Sequence, residues 1–157
     1  MSGLFCTFEF MNKKTNYCYN YARAAITVDI ILMNDNRILL IKRGNDPYKN
    51  NWALPGGFMD MDETLEQAAI RELEEETSIK AEKLYQFKTY SKIDRDPRHR
   101  TISTVFYNNS NSNITNLQAI AMDDAIEAIW WDIENLPKLA FDHDEIISEF
   151  IKLKISK

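Results

Sequence analysis

Residues 57–79 read GFMDMDETLEQAAIRELEEETSI and decide the fold. Apolar residues recur in this stretch at helical spacing, and we predict a helix over residues 64–77. Thr64 is followed three residues later by Gln67. That spacing is typical of a capping box, in which each side chain accepts a hydrogen bond from the backbone N–H of the other residue. The stretch therefore predicts one helix with a well-defined first turn.

Three carboxylates fall on the face of this helix that should pack inward. With Leu65 set at zero and about 100° per residue, Glu72 lies near −20°, Glu76 near +20° and Glu75 near −80°. Clustered anions on a half-buried face repel each other and lose hydration unless a cation compensates them. We interpret the cluster as a site for magnesium or manganese, which take oxygen ligands, rather than as an ordinary solvated face.

Two neighbouring features support a metal and phosphate site. Gly56 and Gly57 let the backbone turn sharply and approach a ligand, where a free carbonyl can bind a metal ion. Glu63 lies eight residues before Arg71, so the chain ahead of the helix can fold back and pair the two side chains. We interpret that pair as structural, because arginine does not exchange protons near neutral pH.

The other apolar segments show both strand and helix patterns. Residues 142–153 have the pattern of a second helix, and six runs of β-branched, aliphatic or alternating residues predict strands. Two helices among several strands, without a strict strand–helix–strand repeat, favour a mixed α/β or α+β sandwich. The predicted strands cover residues 24–33, 37–42, 52–54, 83–90, 101–108 and 125–131.

The composition is that of one globular domain, residues 1–157. Of these residues 45% are hydrophobic and 27% charged, which is enough for one core and too little for two ordinary domains. The net charge of −5 argues against a protein that holds nucleic acid through its phosphates. The acidity is local, since residues 57–79 carry eight acids and one base, a net −7, which leaves +2 for the rest.

Residues 1–22 are rich in aromatic side chains and predict a β-hairpin around the polar residues 12–16. The aromatic face suits core packing or a contact between two subunits, and a stacking surface for a purine ring is the alternative. We expect a homodimer to which the hairpin contributes. Gel filtration of a chain lacking residues 1–20 tests this, because an unchanged dimer would reject it.

No segment has the length and apolarity of a membrane span, and the first residues lack the basic start of a secretory signal. Cys6 and Cys18 are too few for a disulfide framework, and we expect reduced thiols. A zinc site that adds His99 and His143 is disfavoured, because closed zinc sites usually draw on tight sequence pairs. We therefore expect a cytoplasmic protein without a membrane partner.

The spacing within residues 57–79 resembles the Nudix box, the signature of the Nudix hydrolase family. Ser78 departs from that signature, which has glycine at this position. Since the glycine ends the helix, the departure concerns helix termination and leaves every ligand in place. The matching pattern is Gly57, five residues, Glu63, seven residues, Arg71-Glu72-Leu73, one residue, Glu75-Glu76, one residue, Ser78-Ile79.

Further segments resemble the ADP-ribose pyrophosphatase branch of that family and the related Nudix domain of repressors of NAD metabolism. The resemblance covers most of the chain and implies an α/β/α sandwich with a mixed β-sheet. It also implies magnesium-dependent hydrolysis of a small nucleotide, ADP-ribose, to AMP and ribose 5-phosphate. The segments are residues 24–29, 40–43, 52–58, 95–98 and 139–143.

Carried over onto the box, the metal ligands implied by the resemblance are Glu72, Glu75 and Glu76, with the Gly57 carbonyl as a further ligand. These groups would hold Mg²⁺, with Mn²⁺ as the alternative. Glu75 and Glu76 are also the catalytic candidates within the box. The chemistry is consistent with this assignment, because divalent ions neutralise pyrophosphate charge and orient the attacking water.

The general base varies within the family. Outside the box, Glu127 on a predicted strand is our first candidate, and a structural ion pair is the alternative reading of that residue. Asp142 and Asp144 are further candidates. We interpret His143 as a structural or substrate-orienting group, since Nudix chemistry does not need a histidine base.

Arg43, Arg95 and Arg98 are candidates to bind the diphosphate or the terminal ribose, because guanidinium groups match phosphate oxygens in pairs. Simple solvent exposure is the alternative for these side chains. The family has glycine after the Asp-Pro-Arg element, where this chain has His99. That departure concerns the sugar end of the pocket and therefore the exact substrate.

Two other functions stay open at this point. One is a Nudix hydrolase that acts on another nucleoside diphosphate derivative or nucleotide. The other is a domain that senses ADP-ribose without cleaving it, as in the repressors, which append a winged-helix domain after the Nudix domain. We expect an enzyme, because the box glutamates are intact and the chain stops at Lys157, a few residues after the last predicted helix.

Overall fold

The computed structural model describes residues 5–6, 18–115, 117–123 and 125–155. Strands and helices follow one another in the predicted order. The strands are β1 Phe5–Cys6, β2 Cys18–Tyr19, β3 Ala25–Ile31, β4 Met33–Asn34, β5 Arg37–Arg43, β6 Trp52–Ala53, β7 Gly56–Phe58, β8 Tyr85–Tyr90, β9 Thr101–Tyr107 and β10 Ala125–Asp132. The helices are α1 Leu65–Thr77 and α2 His143–Ile155.

The strand predictions hold with two differences. The single strand predicted over residues 24–33 is divided into β3 and β4. The glycine pair, which we placed in a turn, begins the short strand β7. The reason is a contact between distant segments, because Gly56 and Gly57 pair antiparallel with Asp29 and Val28 of β3. This pairing makes the glycines part of an edge strand, which the local sequence does not indicate.

The eight strands β3 to β10 form two four-stranded sheets rather than one. The first has the order β7-β3-β9-β8, in which β3 and β9 run parallel and the other pairs antiparallel. The second has the order β10-β5-β4, with β6 paired to β5, and is antiparallel throughout. The first sheet therefore confirms the predicted mixed pairing.

The two helices cover opposite faces of β3. Val28 and Ile30 share a buried cluster with the α1 residues Ala69 and Leu73. Ile31, on the other face, packs in a second cluster with three buried α2 residues, which are Ile146, Ile147 and Phe150. Successive side chains of a strand point to opposite faces, so β3 lies between the helices. The predicted α+β sandwich is confirmed.

The first helix begins and ends at the residues that its sequence indicates. The Gln67 backbone N–H donates to Thr64 Oγ1 over 3.3 Å, and the Thr64 N–H donates to Gln67 Oε1 over 2.8 Å. Both hydrogen bonds of the predicted capping box are therefore present. At the other end Ser78 adopts a left-handed conformation with φ 59°, and its N–H donates to the Glu74 carbonyl over 2.8 Å.

Most of the predicted N-terminal hairpin lies outside the described residues. Within the described part, β1 and β2 pair antiparallel, with Phe5 opposite Tyr19. Its contribution to a dimer stays a prediction. Among the described residues, neither helix is long and apolar enough to cross a membrane.

Candidate active site

A cavity of about 380 Å³ lies beside the inward face of α1. One wall consists of the helix carboxylates and the backbone of β7. Arginine and aromatic side chains from β5, β7 and the loops before β9 and α2 complete the lining. The residues that matter for the chemistry include Gly57, Glu72, Glu75, Glu76, Arg43 and Arg98. The structure thus brings together the predicted box residues, the three predicted arginines and His143.

Glu76 is the most enclosed of the three box glutamates. It is 7% exposed, and its Oε2 accepts a hydrogen bond of 2.8 Å from the Gly56 backbone N–H. Burial raises the pKa of Glu76 to about 8, against the lowering effect of that hydrogen bond. A cation beside such a buried carboxylate would stabilise its ionised form.

Glu72 lies directly against the backbone of β7. Its side chain is 12% exposed, and burial raises its pKa to about 7, although Arg71 beside it acts in the opposite direction. A Cβ on Gly57 would come within 2.6 Å of Glu72 Cδ. A side chain at position 57 would therefore displace the Glu72 carboxylate from its place beside β7.

Arg71 ties the carboxylates to the loop before the helix. Its Nε and Nη2 donate to Glu63 Oε2 and Oε1 over 3.0 and 2.6 Å, which forms the two-pronged pair expected from the spacing. Its Nη1 donates to Glu72 and to Glu75, each over 2.8 Å. Glu75 is the most exposed of the three box glutamates, with 48% of its side chain accessible.

In the described ranges, no three Asp, Glu, His or Cys side chains are arranged as a ready-made metal site. The arrangement of Arg71 explains this, because one guanidinium nitrogen engages both Glu72 and Glu75. The donor set nevertheless fits a hard divalent cation, since it consists of oxygen atoms, two of its carboxylates are buried, and burial raises the pKa of both.

Arg95 and His143 belong to a buried polar network that forms part of the cavity lining. Arg95 donates from Nε and Nη2 to the two carboxylate oxygens of Asp142 over 2.9 and 2.7 Å, and 4% of its side chain is exposed. This ion pair occupies one edge of the Arg95 guanidinium group, and the role of Arg95 in binding substrate stays a prediction. The same contact holds both carboxylate oxygens of Asp142, which the described cavity lining does not include.

His143 is likewise enclosed, with 3% exposure. Its Nδ1 accepts a hydrogen bond of 2.9 Å from the Leu54 N–H, and its Nε2 lies 3.4 Å from Asp29 Oδ1. This geometry assigns the proton of the neutral ring to Nε2. Burial lowers the pKa of His143, against the effect of the two nearby aspartates. These contacts are consistent with the structural role that we considered for His143.

Arg43 and Arg98 line the cavity beside two aromatic rings. The Arg98 guanidinium lies 5.3 Å from the ring centre of Phe58 and 5.7 Å from that of Phe141. The Arg43 guanidinium lies 4.9 Å from the centre of the same Phe141 ring. His99, which stands at the family's glycine position, stacks on the Phe58 ring at 5.8 Å.

Glu127 lies away from this site. It is opposite Lys42 in the β10–β5 register, and its Oε1 accepts a hydrogen bond of 2.7 Å from Lys42 Nζ. Glu127 is not among the described residues that line the cavity. Its position agrees with the alternative that we gave, a structural ion pair. The lining includes Asp123, a carboxylate that we did not predict. No motif surrounds Asp123, and only tertiary packing shows its position.

Comparison with known proteins places the chain among relatives of the same architecture. A family model described as NUDIX domain matches residues 23–151. A protein of Methanocaldococcus jannaschii called ADP-ribose pyrophosphatase is 46% identical over 134 residues, which are 85% of this chain and 77% of that protein.

Two solved structures are similar in fold. The NUDIX domain of Shewanella oneidensis NrtR, complexed with ADP ribose, has a TM-score of 0.72 and 28% identity, and the match covers 84% of this chain and 89% of that one. A bifunctional NMN adenylyltransferase/ADP ribose pyrophosphatase from Francisella tularensis, complexed with AMP and a manganese ion, has a TM-score of 0.72 and 33% identity. This match covers 84% of our chain, which spans 42% of that longer protein.

The sandwich fold, the carboxylate-bearing helix and these similarities define the class of protein, a Nudix hydrolase. The chain belongs to the NUDIX family.

Proposed function

We propose that this protein hydrolyses the pyrophosphate bond of ADP-ribose to AMP and ribose 5-phosphate in the presence of Mg²⁺. The observation that carries the proposal is one cavity lined by the three box glutamates and by arginines that include Arg43 and Arg98. A diphosphate is the substrate group that needs cations on one side and guanidinium groups on the other. The 46% identity to the M. jannaschii protein called ADP-ribose pyrophosphatase supports this choice of substrate.

Glu72, Glu75 and Glu76, with the Gly57 carbonyl, would hold the divalent ion. When bound, the ion neutralises charge on the pyrophosphate and lowers the pKa of a bound water. The buried Glu72 and Glu76 suit ligand roles, because a cation offsets their loss of hydration. The manganese ion in the Francisella tularensis structure supports a divalent cofactor, with Mn²⁺ as a substitute for Mg²⁺.

Glu75 is our choice for the general base in place of Glu127. Its side chain is half exposed and lines the cavity, so solvent water reaches its carboxylate. The Arg71 Nη1 contact of 2.8 Å orients the Oε2 atom of Glu75. The attacking water transfers its proton to this carboxylate while the water oxygen bonds to phosphorus, and the bond to the bridging oxygen breaks. A positioned base of this kind contributes roughly 10²–10⁴ in rate.

The test is hydrolysis of ADP-ribose followed by separation of AMP and ribose 5-phosphate. We expect turnover with Mg²⁺ and none with EDTA. Glu75→Gln should lower kcat roughly 10²–10⁴-fold. Glu74→Gln is the matched control, because Glu74 lies on the same helix, pairs with the exposed Lys80 and does not line the cavity. Equal activity of Glu75→Gln and Glu74→Gln would overturn the catalytic assignment.

Binding of ADP-ribose without cleavage is the second candidate, supported by the complex of the NrtR domain with ADP ribose. It predicts tight binding of ADP-ribose without release of AMP under any metal condition. A third outcome, cleavage of another nucleoside diphosphate derivative but not of ADP-ribose, would retain the reaction and replace the substrate. A panel of nucleotide sugars and dinucleotides in the same assay separates these cases.

A further inference from the structure

Phe141 has a backbone conformation that its residue type rarely adopts. Its φ is 55°, in the left-handed region. A bulky non-glycine residue there is a true outlier, because its Cβ is crowded by the backbone. Such strain persists only where the surrounding structure enforces it, and it concentrates at functional sites. The conformation places the half-buried Phe141 ring in the lining of the active-site cavity.

The Phe141 ring lies next to two of the arginines that line the cavity, Arg43 and Arg98. The Arg43 guanidinium carbon lies 4.9 Å from the ring centre and that of Arg98 lies 5.7 Å from it. Both distances are within the range of cation–π attraction. Tyr48 packs edge-on against the same ring at 4.8 Å, and His143 lies 5.5 Å away. The ring is therefore supported on its other sides by the buried network and the loop after β5.

Each arginine has a second anchor that fixes its direction. Arg43 donates from Nε to the Pro47 carbonyl over 2.9 Å. Arg98 donates from Nε and Nη2 to Asp96 over 3.0 and 2.8 Å. One polar anchor and one aromatic ring together restrict a guanidinium group in both position and plane. Two long side chains that carry like charges are thus held at one wall of the cavity.

We propose that Phe141 is the positioning residue that holds Arg43 and Arg98 for the diphosphate of the substrate. This inference rests on the proposed function, in which those two arginines bind phosphate oxygens. Like charges repel each other, and the attraction of both guanidinium groups to the electron-rich Phe141 ring offsets that repulsion before substrate arrives. The arginines are ordered in the free protein, so their side chains lose less conformational entropy when substrate binds. This gain offsets the cost of the left-handed backbone at Phe141.

The experiment compares Phe141→Leu with Phe141→Tyr. Leucine keeps an apolar side chain at the strained position and removes the aromatic face, whereas tyrosine keeps the ring. We expect Phe141→Leu to raise the KM for ADP-ribose about tenfold, given two weak cation–π contacts, with kcat within twofold of the wild type. Phe141→Tyr should stay within twofold in both parameters. An unchanged KM in a folded Phe141→Leu protein would overturn the proposal.

A double-mutant cycle separates positioning from a merely structural role. If Phe141 acts through Arg98, the KM effect of Phe141→Leu should shrink to less than threefold in an Arg98→Lys background. Full additivity of the two changes would contradict the proposal. Phe141→Asn, whose side chain tolerates left-handed backbone, replaces the leucine variant if that variant does not accumulate, and the same tenfold rise is expected.

The wild-type protein distinguishes this inference from the proposed function. If the wild type does not hydrolyse ADP-ribose, the function fails, and the KM comparison is made with the nucleoside diphosphate derivative that it does cleave. If the wild type hydrolyses ADP-ribose and the Phe141→Leu protein has the same KM, only the positioning role fails.

Discussion

At the scale of single residues, Ser78 ends helix α1 at the position where the family pattern has glycine. The helix requires a left-handed residue after Thr77, and Ser78 adopts this conformation with φ 59°. Its hydroxyl oxygen lies 2.8 Å from the Met122 sulfur. Helix α1 therefore still ends at the expected place, and the cost is local backbone strain rather than a changed site.

Replacing Ser78 by glycine should relieve that strain. We expect Ser78→Gly to raise the free energy of unfolding by roughly 0.5–1 kcal/mol, because glycine adopts left-handed φ freely but loses more entropy on folding. Urea denaturation measures it. Ser78→Ala is the control, since it removes the hydroxyl and keeps the strain. A glycine variant no more stable than the alanine variant would contradict the expectation.

At the scale of the element, α1 combines a stabilising cap with a destabilising face. The capping box and the Glu63–Arg71 pair secure its start. Glu72 and Glu76, on its buried face, are ionised only against a desolvation cost. Without a metal ion, the helix therefore carries groups whose folded pKa values, about 7 and about 8, are above the ordinary 4.5.

The metal-free protein should consequently lose stability as pH rises from about 6.5 to 8.5. In this window the folded state binds more protons at Glu72 and Glu76 than the unfolded state, so the free energy of unfolding falls with pH. His143 has a lowered pKa and acts in the opposite direction, but only below its unfolded value of 6.5. We expect a loss of roughly 2 kcal/mol over the window.

Thermal unfolding in EDTA at several pH values measures this loss. Glu76→Gln should flatten the upper part of the profile, whereas the exposed Glu74→Gln should leave its slope unchanged. Added Mg²⁺ should stabilise the protein most at high pH, since a metal ion binds the ionised carboxylates. A melting temperature that stays constant or rises with pH in EDTA would refute the buried-acid interpretation.

At the scale of the whole molecule, the site depends on contacts between distant segments. The Arg95–Asp142 pair joins the loop before β9 to the start of α2. The same loop carries Arg98, held by Asp96. The buried pair thus connects the α2 side of the sandwich to the substrate wall of the cavity.

Breaking this pair from one side should be costly. Asp142→Asn leaves the Arg95 charge buried with a weakened partner, and we expect a loss of roughly 3–5 kcal/mol in the free energy of unfolding by urea denaturation. The double change Arg95→Met with Asp142→Leu should lose less, because it removes both charges of the pair and the buried Asp29 keeps its contacts with Ser103 and His143. A double variant as unstable as Asp142→Asn would show that the charge is not the cause.

The pair between Lys92 and Glu145 provides a matched control. It joins the same loop to the same helix over 3.6 Å, but its side chains are 69% and 63% exposed. Exposed pairs contribute roughly 0–1 kcal/mol. Glu145→Gln should therefore stay within about 1 kcal/mol of the wild type in the same urea experiment.

The sequence by itself determined α1, its capping box, its inward carboxylates and the Glu63–Arg71 pair. These features depend on helical periodicity and on partners no more than eight residues apart, which a local pattern contains. The predicted order of strands depends on the same kind of signal. Family resemblance then pointed to the reaction that we propose.

Only the tertiary structure decided which of the distant candidates reach the cavity. Strand register pairs Glu127 with Lys42, 85 residues away, and the packing of α2 pairs Arg95 with Asp142, 47 residues away. The same packing brings Asp123 and the strained Phe141 into the lining. Such contacts follow from how sheets and helices stack, and a one-residue change of register would alter them without changing any local pattern.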